Sequence, residues 1–140
     1  MVTAPDCVFC RIVAGNAPAR RVYENESVLA FLDINPISVG HTLVIPKPHF
    51  VNVYDLPDEQ FARIVAVTRK LVLHYRTAIG AQSVNLLHSA GRPARQDVFH
   101  FHLHIIPRYE NDGLHLGYRP RAGNLEDPDA VLARLRQGLT

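Results

Sequence analysis

Hydrophobic positions run almost unbroken from Val28 to Leu32 and from Thr42 to Ile45, short β-rich runs of the kind that strands bury. Arg21-Val22-Tyr23 precedes the first run across the turn-forming Asn25-Glu26, which predicts a hairpin. Pro46 closes the next strand, and Val84 to His88 supplies a fourth. Residues 8 to 14 suit a short helical turn, broken by Gly15-Asn16 and Pro18. From Pro57 to about Ile79 the period lengthens. Phe61, Ile64, Val65, Thr68, Leu71, Val72, Tyr75 and Ile79 recur at three- and four-residue steps, with charged residues mostly between them. That is the stripe of one long helix, with Pro57 suited to its first turn and Gly80 to its stop. Asp127-Pro128 opens a last helix, whose apolar side is Val131, Leu132 and Leu135. The stretch from Arg108 to Gly123, including the turn at Arg119 to Arg121, is rich in Gly, Pro and Arg and reads as a mobile tail or cover.

A fifth strand is expected from Val98 to Arg108, read Val-Phe-His-Phe-His-Leu-His-Ile-Ile-Pro-Arg. Alternation would put His100, His102 and His104 on one face and Phe99, Phe101, Leu103 and Ile105 on the other. Imidazoles on such a strand sit about 6.5–7 Å apart, so His102 would have a neighbour on each side. A strand with one wet face can carry a histidine for no chemical reason. Three in register point to chemistry, because a neutral imidazole is a nucleophile, a proton carrier or a metal ligand.

Strands with one long helix give an α+β class, a single antiparallel sheet with a helix on one face. At 140 residues the chain fits one domain with a real core. A net charge of +2 is too mild to argue for nucleic acid. No apolar run is long enough for a membrane span and no signal-peptide pattern opens the chain, so a soluble, cytoplasmic protein is expected. Cys7 and Cys10 are the only cysteines. Their Cys-x-x-Cys spacing suggests metal or redox chemistry, with a pair of small buried hydrophobes as the plain alternative.

The segment His100 to Ile106, with Gln96 before it and Pro107-Arg108 after it, resembles the motif of the histidine triad (HIT) nucleotide hydrolases and transferases. Asp33-Ile34-Asn35-Pro36, the run from Gly40 to Lys47 and Cys7-Val8-Phe9-Cys10 extend the resemblance over residues 5 to 110. It implies a single HIT domain over 1–140, with a core of about 5–110 and a C-terminal tail and short helix over 111–140. The fold it implies has a five-stranded antiparallel sheet, one long helix and shorter helices. Two such sheets would abut in a homodimer as one ten-stranded sheet.

The resemblance makes His102 the nucleophile that attacks the α-phosphorus of a purine nucleotide and forms a covalent nucleotidyl-histidine. His104 and Gln96 would donate to phosphate oxygens. Asp33 would accept the ribose hydroxyls, and Phe9, Ile12, Phe31 and Ile34 would line the base pocket or be plain core. His41 would support the strand's imidazoles from behind. Cys7, Cys10, His49 and His100 match the ligands of a closed structural zinc site in some relatives.

Three positions depart from the family pattern. Arg95 stands where glycine is usual, and Asp97 where several eukaryotic-type members carry a hydroxyl that helps protonate the leaving group. Ser89 replaces an amide that contacts the nucleotide. His74, His88 and His115 read as ordinary helix, strand-end and loop residues. The enzyme expected is a nucleoside phosphoramidase or dinucleoside polyphosphate hydrolase. The alternatives are a low-turnover nucleotide- or partner-binding module and a three-histidine metalloenzyme.

Overall fold

The computed structural model describes residues 1–117 and 126–139; the expected turn at Arg119 to Arg121 and the end of the tail lie outside the described residues. In chain order come α1 (Val8–Val13), β1 (Arg21–Glu24), β2 (Val28–Leu32), β3 (Thr42–Pro46), α2 (Asp58–Ala78), β4 (Ser83–Leu87), a 3₁₀ turn (Arg92–Ala94), β5 (Leu103–Arg108) and α3 (Pro128–Arg136). The strands form one antiparallel sheet in the order β1-β2-β3-β5-β4. The β1–β2 turn is set by Asn25, whose side-chain oxygen accepts from the Ser27 and Val28 amides.

The sheet is covered on both faces. Val28, Ala30, Val44 and Ile105 face α2 and pack with Ile64, Val67, Leu71 and Tyr75. The alternate residues Leu29, Phe31, Leu43 and Ile45 face α1 and pack with Phe9 and Ile12. The expected helix on one face is present, but α1 covers part of the other, and that is why β2 and β3 read as continuous apolar runs instead of alternating.

The buried face of α2 is Gln60, Ile64, Val67, Thr68, Leu71 and Tyr75. It is rotated from the stripe expected from sequence, since Phe61, Val65 and Ile79 are exposed. Gln60 is buried because its amide donates to the Ser27 carbonyl. Gly40 joins the helix end to the sheet: its φ is +86°, and a Cβ there would lie 2.5 Å from Ile79 Cδ1 and 3.3 Å from Pro107 Cγ. Beyond β5, Arg108 pairs with Asp112 through two hydrogen bonds and donates to the Leu114 carbonyl, while the Tyr109 hydroxyl donates to Val39. The start of the expected mobile tail is thus fastened to the sheet. α3 buries none of its residues.

Candidate active site

Regular pairing starts later than expected. β5 begins at Leu103, so of the three histidines only His104 lies in the strand, and His100 and His102 precede it. The alternation survives nonetheless: Phe101 and Ile105 are in the α2 core, while Phe99 is exposed. The His102 and His104 ring centroids are 4.9 Å apart, closer than an extended strand would set them. His100 turns to other partners, and the Phe9 ring makes T-shaped contacts with both His100 and His102.

Each ring has its proton placed by a neighbour whose own role is fixed. The His102 Nδ1–H donates to the His100 carbonyl at 2.7 Å. In the neutral ring this leaves the lone pair on Nε2. The Ile37 amide donates to His41 Nδ1 at 3.2 Å, so the His41 proton is on Nε2, which donates to His104 Nδ1 at 2.9 Å. His104 in turn carries its proton on Nε2. Burial, then the neighbouring His102 and His41, holds His104 down to about 4, and burial also lowers His41. Both rings are thus neutral near pH 7.

His102 and His104 open into a cleft of about 380 Å³, walled by Val8, Phe9 and Ile12 of α1, by Phe31 and Leu43 of the sheet, and by Asp33, Ile34, Asp97 and Val98. No lysine or arginine lines it among the described residues. Phe9, Ile12 and Phe31 are buried, and Ile34 is 79% exposed at its mouth. Asp97 Oδ1 stands 3.7 Å from His102 Nε2, with its side chain 83% exposed. Asp33 Oδ1 accepts from the Asn35 amide, and its other oxygen is 3.6 Å from His41 Nε2.

Gln96 and Ser89 are not among the cleft's lining residues. The Gln96 amide is instead spent within the protein. Its Nε2 donates to Val51 and Val98 carbonyls, and its Oε1 accepts from Asn52 Nδ2 and the Gly91 amide. These four bonds tie Gln96 to the 49–53 loop and to the Gly91 and Val98 main chain.

The ligand atoms of Cys7, Cys10, His49 and His100 lie within 4.8 Å of one another. Cys7 Sγ and Cys10 Sγ are 3.4 and 3.6 Å from His100 Nδ1; His49 Nδ1 is 3.4 Å from Cys10 Sγ and 3.2 Å from His100 Nδ1. A tetrahedral zinc with bonds of about 2.3 Å to sulfur and 2.0–2.1 Å to nitrogen spaces its ligands by about 3.3–3.8 Å. The group therefore fits zinc. The His100 Nε2–H donates to the Pro46 carbonyl at 2.8 Å, which aims the Nδ1 lone pair at the cysteines. Burial pushes the Cys10 thiol up, so a thiolate there calls for a cation beside it. The three triad rings have separate partners, so they do not assemble into a three-histidine metal centre.

The HIT domain pattern matches residues 14–111. This chain belongs to the HIT domain family. The bacterial protein hit of Bacillus subtilis is 42% identical over 130 residues, covering 92% of this chain and 90% of that protein. Adenylylsulfatase HINT3 of Arabidopsis thaliana is 41% identical over 109 residues, covering 78% of this chain and 55% of the plant protein. A crystal structure of a Zn-bound histidine triad family protein from Mycobacterium smegmatis superposes with a TM-score of 0.77 at 44% identity, over 83% of this chain and 84% of that one. The HIT pattern starts at residue 14, just past α1, so the Cys-x-x-Cys and the α1 wall of the cleft lie outside the matched range.

From sequence, His88 reads as an ordinary strand-end residue. In the HIT fold of this chain its Nδ1 is 2.9 Å from the carbonyl oxygen of His102. No spacing rule relates the two, because they lie on different segments and meet through a side chain.

Proposed function

We propose that this protein is a nucleotide hydrolase acting at the α-phosphate of purine nucleotide conjugates, nucleoside phosphoramidates or dinucleoside polyphosphates, through a covalent nucleotidyl-histidine at His102. The observation that carries the reading is the His102 Nδ1–H bond to the His100 carbonyl, which leaves the Nε2 lone pair at the cleft. In the first step Nε2 attacks phosphorus; the N–P bond forms as the bond to the leaving group breaks, and the leaving group takes the electron pair. Water then attacks phosphorus, the N–P bond breaks, and the nucleoside monophosphate departs with His102 regenerated. The His104 Nε2–H supplies a donor for a phosphate oxygen. Asp33 accepts from the ribose, and Phe9, Ile12, Phe31 and Ile34 hold a flat base against apolar surface.

Asp97 weighs on the leaving group. Its carboxylate lies beside the nucleophile in a cleft lined by no lysine or arginine among the described residues, which disfavours a leaving group with several phosphates and suits a neutral or cationic amine. The adenylylsulfatase relative supports an α-phosphate substrate and adds adenylyl sulfate as a third candidate.

In the same reading Cys7, Cys10, His49 and His100 hold a structural zinc, whose chemistry is to cross-link the N-terminal segment to the triad segment. The chain works as one cytoplasmic domain and pairs as a homodimer with its sheets continuous. The last strand in the sheet order, β4, supports that pairing, since it has a neighbour on one side only and exposes Leu86. No helix among the described residues is long and apolar enough to cross a membrane.

The test is release of AMP from an adenosine phosphoramidate and from diadenosine tetraphosphate by wild type and His102→Ala. Turnover of either substrate by wild type, with loss of at least about 10³-fold in the variant, supports the covalent route. If both bind nucleotide and neither turns over, the protein is a binding module instead.

A further inference from the structure

We propose that His88 is a positioning residue for the nucleophile, a neutral imidazole clamp that fixes the main chain of His102; this rests on the hydrolase reading above. The need for such a clamp follows from the strand boundary. β4 ends at Leu87, paired with His104, and β5 begins at Leu103. His102 therefore sits just beyond the last paired rung, where no strand partner holds its backbone. His88 is the first residue past the end of β4. Its side chain does what the next rung would have done.

Three contacts define the clamp. The Nδ1–H donates to the His102 carbonyl oxygen at 2.9 Å. Nε2 accepts from the Val53 amide at 3.2 Å. The ring stacks on Phe101, with centroids 4.3 Å apart and planes inclined by 29°. Only a neutral ring with its proton on Nδ1 can donate at one nitrogen and accept at the other. Burial lowers the His88 pKa and favours that form. Because the His102 ring points its own Nδ1–H at the His100 carbonyl, a shift of the His102 backbone would swing Nε2 away from the in-line direction. Misplacements of about 1 Å cost about 10²-fold in rate.

Two variants separate the clamp from plain packing. His88→Phe keeps a ring on Phe101 and removes both polar contacts. His88→Asn loses the stack and keeps a donor at the δ position. With the fold of each confirmed by circular dichroism and thermal melting, His88→Phe is expected to lower kcat by about 10–100-fold with KM within about threefold, and His88→Asn to keep kcat within about threefold of wild type. The His102 Nδ1–H resonance in proton–nitrogen NMR should be sharp in wild type and His88→Asn, and broadened or lost in His88→Phe. A folded His88→Phe that keeps its kcat, or a His88→Asn that falls as far as His88→Phe, overturns the clamp. If wild type releases no AMP, the hydrolase reading fails, and the resonance alone decides: its survival in His88→Phe overturns the clamp, and its selective loss there supports it.

Discussion

From Leu103 onward the histidine segment is laddered on both sides, to β3 at Leu103, His104 and Ile105 and to β4 from His104 to Arg108. From Gln96 to His102 the chain has no ladder and bends at Val98 to His100. Its partner there is the irregular stretch 49–53. Phe101 donates its amide to the Phe50 carbonyl, Gln96 donates to the Val51 carbonyl, Val53 donates to His88, and His49 closes on His100. One half of the motif is held by repeated backbone bonds, the other by individually placed side chains. The second arrangement is the more breakable, and it carries His102, the nucleophile of the proposed reaction. A ladder leaves the main-chain carbonyl of each residue committed to the neighbouring strand, whereas the unladdered half has the His100 carbonyl available to receive the His102 Nδ1–H.

Removing the zinc proposed for Cys7, Cys10, His49 and His100 should separate the halves most sharply. Chelation, or Cys10→Ser, is expected to lower Tm by at least about 5 °C. Hydrogen exchange should quicken at the amides of 8–13 and 99–102 while those of 103–108 keep their protection. Uniform loss of protection would erase the distinction.

Acid tests the laddered half. Native His104 protonates only near 4, whereas an unfolded histidine does so near about 6.5. Between those values the unfolded chain binds more protons, so stability is full above about pH 6.5 and is lost as pH falls toward 4. His104 alone accounts for up to about 3 kcal/mol of that loss. Urea melts at intervals from pH 7 to 4 should show the slope, and His104→Gln should reduce it, leaving the share of His100, which burial also holds down to about 4.

A smaller effect is expected from His41→Phe, which leaves His104 Nδ1 without its donor and lets the His104 proton move between nitrogens. The expected loss in kcat is about 10-fold, with nucleotide affinity little changed, measured by steady-state AMP release. Asp97→Asn is the mildest change. It should shift the ratio of polyphosphate to phosphoramidate cleavage upward by about threefold to tenfold, and an unchanged ratio would remove Asp97 from leaving-group choice.

What could be read from the sequence follows the same division. β2, β3 and α2 announce themselves by period, because their side chains pack by the geometry of their own backbone. The metal-type cluster was also legible, since Cys7 and Cys10 are close in sequence and the resemblance supplied His49 and His100. The start of β5 was not, because alternation continues from Phe99 through His102 whether or not a neighbouring strand is present. The buried face of α2 was misplaced by part of a turn, because Gln60 is polar and is buried only by virtue of a carbonyl on another segment. The contacts of Gln96 and His88 were illegible for a related reason. What the Gln96 amide and the His88 ring touch depends on the 49–53 loop, and nothing in the pattern of that loop reveals whom it will touch.

Phe9 belongs to both neighbourhoods, its ring centroid 5.8 Å from that of His100 and 5.4 Å from that of His102. α1 also carries Cys10 and the wall residue Ile12. Under the proposed function, a change in this six-residue helix would therefore alter base selection and metal retention together. Lineages that drift in one trait would be carried along in the other, and a designer wishing to retune the pocket alone would do better to begin at Phe31 or Leu43, across the cleft.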